Sequence, residues 1–110
     1  MALAEEPATQ EKLYEEMVSV LGEPQSPTFQ VLKYMPLLDR CVKESLRLYP
    51  SVTLMGRVAV EEIHTKTGYI IPKGYFIHTM IHDLHRRPEL YEDPDKFNPD
   101  RILYENYKLL

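Results

Sequence analysis

The sequence predicts an α+β chain with two amphipathic helices, a small antiparallel β meander and an irregular Pro-rich coil. Three observations carry this prediction. Apolar residues recur at helical spacing before Pro50; short β-type runs separated by turns occupy the stretch from Thr53 to Ile81; and Pro88, Pro94 and Pro99 then interrupt the chain at close intervals.

Pro7 suits the first turn of a helix, with Glu5 and Glu6 beside it. Leu13, Met17, Val20 and Leu21 then share one face, and Gly22 offers a left-handed cap. Glu23-Pro24-Gln25-Ser26-Pro27 cannot continue the helix and reads as a linker, followed by a short turn near Thr28 to Leu32. A second helix begins near Pro36 and ends near Tyr49, because Pro50 disfavours α geometry in its predecessor. Beyond it, Val58 and Val60, Tyr69-Ile70-Ile71 and Tyr75 to Ile81 read as strands. Thr67-Gly68 and Pro72-Lys73-Gly74 supply the turns between them. After His82 the reading is one helical turn over 82–87 and then coil.

Composition removes several function classes. The 110 residues are 44% hydrophobic and 27% charged, ordinary values for a packed globular chain. A net charge of −4 without a Lys/Arg cluster argues against nucleic acid as a partner. A single cysteine makes no internal disulfide. No stretch approaches the roughly 18 apolar residues of a membrane span, and Met1 to Glu6 lacks the basic start and apolar run of a signal peptide.

Two motifs concentrate the chemistry. Glu44-Ser45-Leu46-Arg47 lies on the second helix, and Phe97-Asn98-Pro99-Asp100-Arg101 lies in the coil. On a helical projection Leu38, Val42, Leu46 and Tyr49 form an apolar stripe, Asp39, Arg40, Lys43 and Arg47 form a polar arc, and Glu44 sits at the arc's far border beside Leu37 and Leu48. Periodicity leaves two readings of Glu44 and Arg47: a partly covered pair, or a solvated i,i+3 pair worth about 0.2–0.5 kcal/mol.

Five segments together, in this order, resemble the cytochrome P450 family of haem-thiolate monooxygenases: Ala4-Glu5-Glu6-Pro7, Lys43-Glu44-Ser45-Leu46-Arg47-Leu48-Tyr49-Pro50, Ile71-Pro72-Lys73-Gly74, Leu84-His85-Arg86-Arg87-Pro88 and Asp93 to Arg101. The wording around Ile81 to Pro88 and Phe97 to Asn106 is most similar to the microsomal, fatty-acid-hydroxylase-like branch. The resemblance implies a piece of the mainly helical P450 fold, with residues 1–110 as a partial domain. It implies that Glu44, Arg47 and Arg101 form a buried structural charged triad beneath the haem, and that Arg57 pairs with a haem propionate. Val52, Thr53, Leu54 and Met55 match a stretch that lines the substrate cavity in the family.

For the complete protein the resemblance implies haem iron, an apolar small-molecule substrate, an electron-donating reductase, and the cytosolic face of the endoplasmic reticulum membrane. Neither the family's oxygen-activating helix nor its loop Phe-x-x-Gly-x-x-x-Cys-x-Gly occurs in these residues. The expectation is therefore a fragment that is inactive in isolation, with no catalytic or metal-ligating residue of its own; the alternative is a truncated product or interaction module. Cys41, on a helix three residues before Glu44, reads as a small buried hydrophobe. His64, His78, His82 and His85 lack the spacing of metal ligands and read as structural. Ile102 stands where the family usually has an aromatic, and Tyr104 where related sequences often have proline.

Overall fold

The computed structural model describes residues 2–22 and 26–103. Most of the linker expected at 23–27, together with Tyr104, lies outside them. The described residues are α+β as expected, with four α-helices and four short strands. A 3₁₀ turn, Ala2–Glu5, leads into α1, Pro7–Leu21, with proline in its first turn. Gly22 closes α1 through its amide on the Val18 carbonyl at 2.9 Å, with φ 69° and ψ −93°. That φ is the positive value glycine permits, but the ψ departs from the expected left-handed cap. α2 is the single turn Phe29–Leu32, and α3 is Pro36–Leu48.

Strand pairing is antiparallel, but its order is nested and not sequential. β1, Leu54–Val58, pairs with β4, Phe76–Met80, while β2, Ile63–His64, pairs with β3, Ile70–Ile71, as an inner hairpin. Val60 belongs to no strand and is 80% exposed. The inner hairpin closes locally: Thr65 and Tyr69 bracket a three-residue loop in which Gly68 takes φ 89°. Gly74, with φ 87°, turns the chain behind Pro72, and its amide reaches the Ala59 carbonyl at 2.7 Å. This turn brings β4 back to β1 rather than to β3. Both glycines occupy positive φ, where a Cβ would meet its own backbone.

α4 is the turn Ile81–Leu84, tied to β1's approach by the Thr53 carbonyl, which accepts from the Ile81 amide at 2.9 Å. A coil follows, ending in a 3₁₀ turn at Pro99–Ile102 whose Asn98 side chain accepts from the Asp100 amide.

The apolar core of the described residues is small: Leu13, Met35, Cys41, Leu48 and Ala59. On α1 only Leu13 of its expected stripe is fully buried. On α3 the apolar stripe faces outward, with Val42 49%, Leu46 50% and Tyr49 61% exposed. The buried face of α3 is instead Cys41, Glu44, Arg47 and Leu48. A helix turns this mixed face inward only where its charges find complete partners, and the coil supplies them.

Candidate functional site: a buried carboxylate and two guanidiniums

Glu44 is 0% exposed and Arg47 6%. Three residues of helix put the two on neighbouring turns of one face, and Arg47 meets the carboxylate as a fork: Nε donates to Oε2 and Nη2 to Oε1, both at 2.9 Å. Oε1 also accepts from the Asn98 amide at 3.0 Å and from Arg101 Nε at 3.2 Å. The three residues expected as a charged group therefore touch, and the solvated alternative for Glu44 and Arg47 does not describe this pair. A backbone amide that sequence reasoning missed is the fourth member.

The two arginines reach further into the coil. Arg47 Nη1 donates to the carbonyls of His85 at 2.8 Å and Pro94 at 2.7 Å, and Nη2 donates to Lys96 at 3.2 Å. All five N–H groups of Arg47 are thus engaged. Its guanidinium also lies 5.1 Å from the centre of the Tyr91 ring. Arg101 donates through Nη1 to the Glu92 carbonyl and through Nη2 to those of Asp93 at 3.1 Å and Lys96 at 3.4 Å. Asp93 holds φ 43°, a left-handed conformation that aspartate tolerates, and its carboxylate pairs with Lys96 at 2.6 Å.

The reason for this arrangement is legible in the coil's composition. Pro88, Pro94 and Pro99 lack N–H groups and break regular pairing, so the segment carries carbonyls that a regular backbone ladder does not serve. Arginine, with five donors in a rigid fork, is the side chain best able to satisfy several of them at once.

Electrostatically, burial works to raise the Glu44 carboxyl. The hydrogen bonds from Arg47, the Asn98 amide and Arg101 outweigh it, and the group lies below its ordinary value of 4.5. Glu44 is therefore a fixed anion at neutral pH. With no exposed surface, the carboxylate does not meet solvent.

A second bridge runs parallel to the first. Arg40 Nη1 donates to Asp100 Oδ1 at 2.8 Å, docking the 3₁₀ turn onto α3 one turn before Glu44. Nothing in the spacing of these two residues announces their meeting.

Arg57 lies on β1, exposed, with Nη1 donating to its neighbour's carbonyl, that of Gly56, at 2.9 Å. Strand alternation and the register Met55↔Thr79 and Arg57↔Ile77 put Met55, Arg57, Ile77 and Thr79 on one face. Leu54 falls on the other. Val52, Thr53, Leu54 and Met55 are all exposed, and of these only Met55 is shown to share the face of Arg57.

Cys41 is buried on α3, and burial pushes its thiol up, with Glu16 and Asp100 adding to the effect and Arg40 opposing it. That is the environment of an inert thiol. His85 Nδ1 lies 3.2 Å from the Arg47 carbonyl, which can only accept, so that nitrogen carries the hydrogen. His64 and His82 pair with Glu62 and Asp83, and no group of three metal-ligating side chains occurs among the described residues.

Comparison with known proteins agrees with the motifs. The family model for cytochrome P450 matches residues 1–109. Cytochrome P450 3A18 of Rattus norvegicus is 40% identical over 104 residues, covering 94% of this chain and 21% of the relative. Cytochrome P450 4c3 of Drosophila melanogaster is 39% identical over 102 residues, covering 91% and 19%. Cytochrome P450 4A11 of Homo sapiens is 39% identical over 101 residues, covering 92% and 20%. The chain thus spans about a fifth of the length of the curated relatives it matches.

Proposed function

The chain belongs to the cytochrome P450 family, and from that premise we propose that residues 1–110 are a partial P450 domain. They form scaffold and part of one cavity wall in a haem-dependent monooxygenase. The complete protein inserts one oxygen atom from O₂ into an apolar organic substrate, with electrons from a reductase. Its setting is the cytosolic face of the endoplasmic reticulum membrane. None of the described helices is long and apolar enough to cross a membrane.

One observation supports the scaffold role above the rest: the fully buried Glu44 binds Arg47, Arg101 and the Asn98 amide at once. Such a clamp makes α3 and the coil one rigid body. In this reading that body is the floor on which the haem-binding loop rests.

The residues present fit one side of a haem. Arg57 is exposed on a strand and has donors beyond the one it spends on Gly56, which suits a propionate carboxylate. Met55, on the same face, suits an apolar cavity wall. Cys41 does not suit the axial position, being buried with a raised thiol. Haem, when bound, supplies oxygen activation. The isolated 110 residues are expected neither to hold haem tightly nor to turn over substrate.

The test is haem content in the complete polypeptide that carries this segment. Glu44→Ala is expected to abolish haem incorporation, and Arg57→Ala to weaken haem retention while leaving the fold intact. Normal haem content in Glu44→Ala would overturn the scaffold role, and a thiolate-type spectrum from the 110 residues alone would overturn their inactivity.

A further inference from the structure

The start of α3 has no cap of its own. Met35 stands at the cap position with no side-chain acceptor, and Pro36 at the first helical position brings no N–H. The first amides that need a partner are those of Leu37 and Leu38. Both find it on another helix: they donate to Oε1 and Oε2 of Glu16, on α1, each at 3.0 Å. A carboxylate suits the positive end of a helix. Two oxygens on two successive amides also restrain rotation and translation together, which one bond would not.

Apolar packing leaves this clamp much to do, since Leu13 is the only buried residue on α1. Farther along α3, Arg40 must face Asp100, and Glu44 must face the Asn98 amide and Arg101 Nε. A slip of one residue shifts a helix by about 1.5 Å and rotates it by about 100°, enough to break all three contacts.

We propose that Glu16 is a positioning residue for the buried Glu44 site, setting the register of α3 through the amides of Leu37 and Leu38. Its consequence for haem rests on the function proposed above; its consequence for the Asn98 amide does not.

The experiment uses the complete polypeptide carrying this segment, with Glu16→Ala, the milder Glu16→Gln, and the exposed neighbour Glu15→Gln as control. Amide hydrogen exchange and the thiolate-type spectrum of the reduced carbon monoxide complex are measured on each. In Glu16→Ala the Leu37 and Leu38 amides are expected to exchange on the order of tenfold faster, the size of a lost cap. The Asn98 amide accelerates with them and the thiolate-type fraction falls at least about twofold, if a register shift of this kind opens the site. Glu16→Gln, which keeps one acceptor, falls between, and Glu15→Gln matches the unsubstituted protein. Should Leu37 and Leu38 accelerate while Asn98 and the spectrum stay unchanged, Glu16 is a local cap and the proposal fails. Unchanged Leu37 and Leu38 would also overturn it. If the unsubstituted polypeptide shows no thiolate-type spectrum, the function reading fails, and the Asn98 amide still decides the role of Glu16. If Glu16→Ala does not fold, Glu16→Gln carries the same comparison.

Discussion

Oε1 of Glu44 accepts a hydrogen bond from Nε of Arg101 at 3.2 Å, and this bond joins α3 to the end of the Pro-rich coil. The same oxygen accepts from Arg47 and from the Asn98 amide. One carboxylate thereby pairs with two buried or nearly buried guanidiniums, with Arg101 13% exposed. Removing any partner strands charge in a place water does not reach.

Glu44→Ala is accordingly expected to destabilise the complete folded polypeptide by about 3–5 kcal/mol. Denaturant unfolding of the variant beside the parent measures the difference; a loss under about 1 kcal/mol would place the pair with surface ion pairs.

Arg47→Lys keeps the charge but removes the fork. A single ammonium cannot serve Glu44 together with the carbonyls of His85, Pro94 and Lys96. The expected cost is about 3 kcal/mol, from the loss of one or two bonds to charged groups. Faster amide exchange over residues 85–96 would locate it; equal stability of the two proteins would show that charge alone suffices.

Stability should fall in acid through Glu44. Its folded value lies below the ordinary 4.5, so the unfolded chain takes up the proton first as pH drops. The contribution is complete above pH 4.5 and is lost progressively as pH falls from there through the folded value. Glu44→Gln removes this dependence. The difference in unfolding free energy between parent and variant, followed downward from pH 6, should shrink only below about pH 4.5; a constant difference would contradict the assignment.

Gly68→Ala and Gly74→Ala place a Cβ at φ 89° and 87°. Each is expected to cost about 1–2 kcal/mol. Gly68→Asn should cost less, because asparagine tolerates positive φ. Thermal melting of the three variants gives the order, and an alanine as tolerable as asparagine would remove the conformational argument.

The sequence by itself determined the α+β class, the bounds of α1 and α3, and the turn glycines, because proline, glycine and 3.6-residue spacing act on neighbouring backbone. The family resemblance grouped Glu44, Arg47 and Arg101, and in the structure both arginines contact the carboxylate. Only the tertiary structure decided that Val42 and Leu46, from the expected apolar stripe of α3, face outward. It alone paired β1 with β4, and only it brought Glu16 to Leu37 and Leu38, and Arg40 to Asp100. These contacts join positions 18 to 60 residues apart, and no local period encodes them. The Glu16 contact arises because amides left unpaired at a helix start must find partners elsewhere in the chain, and the strand pairing because extended backbone must do the same.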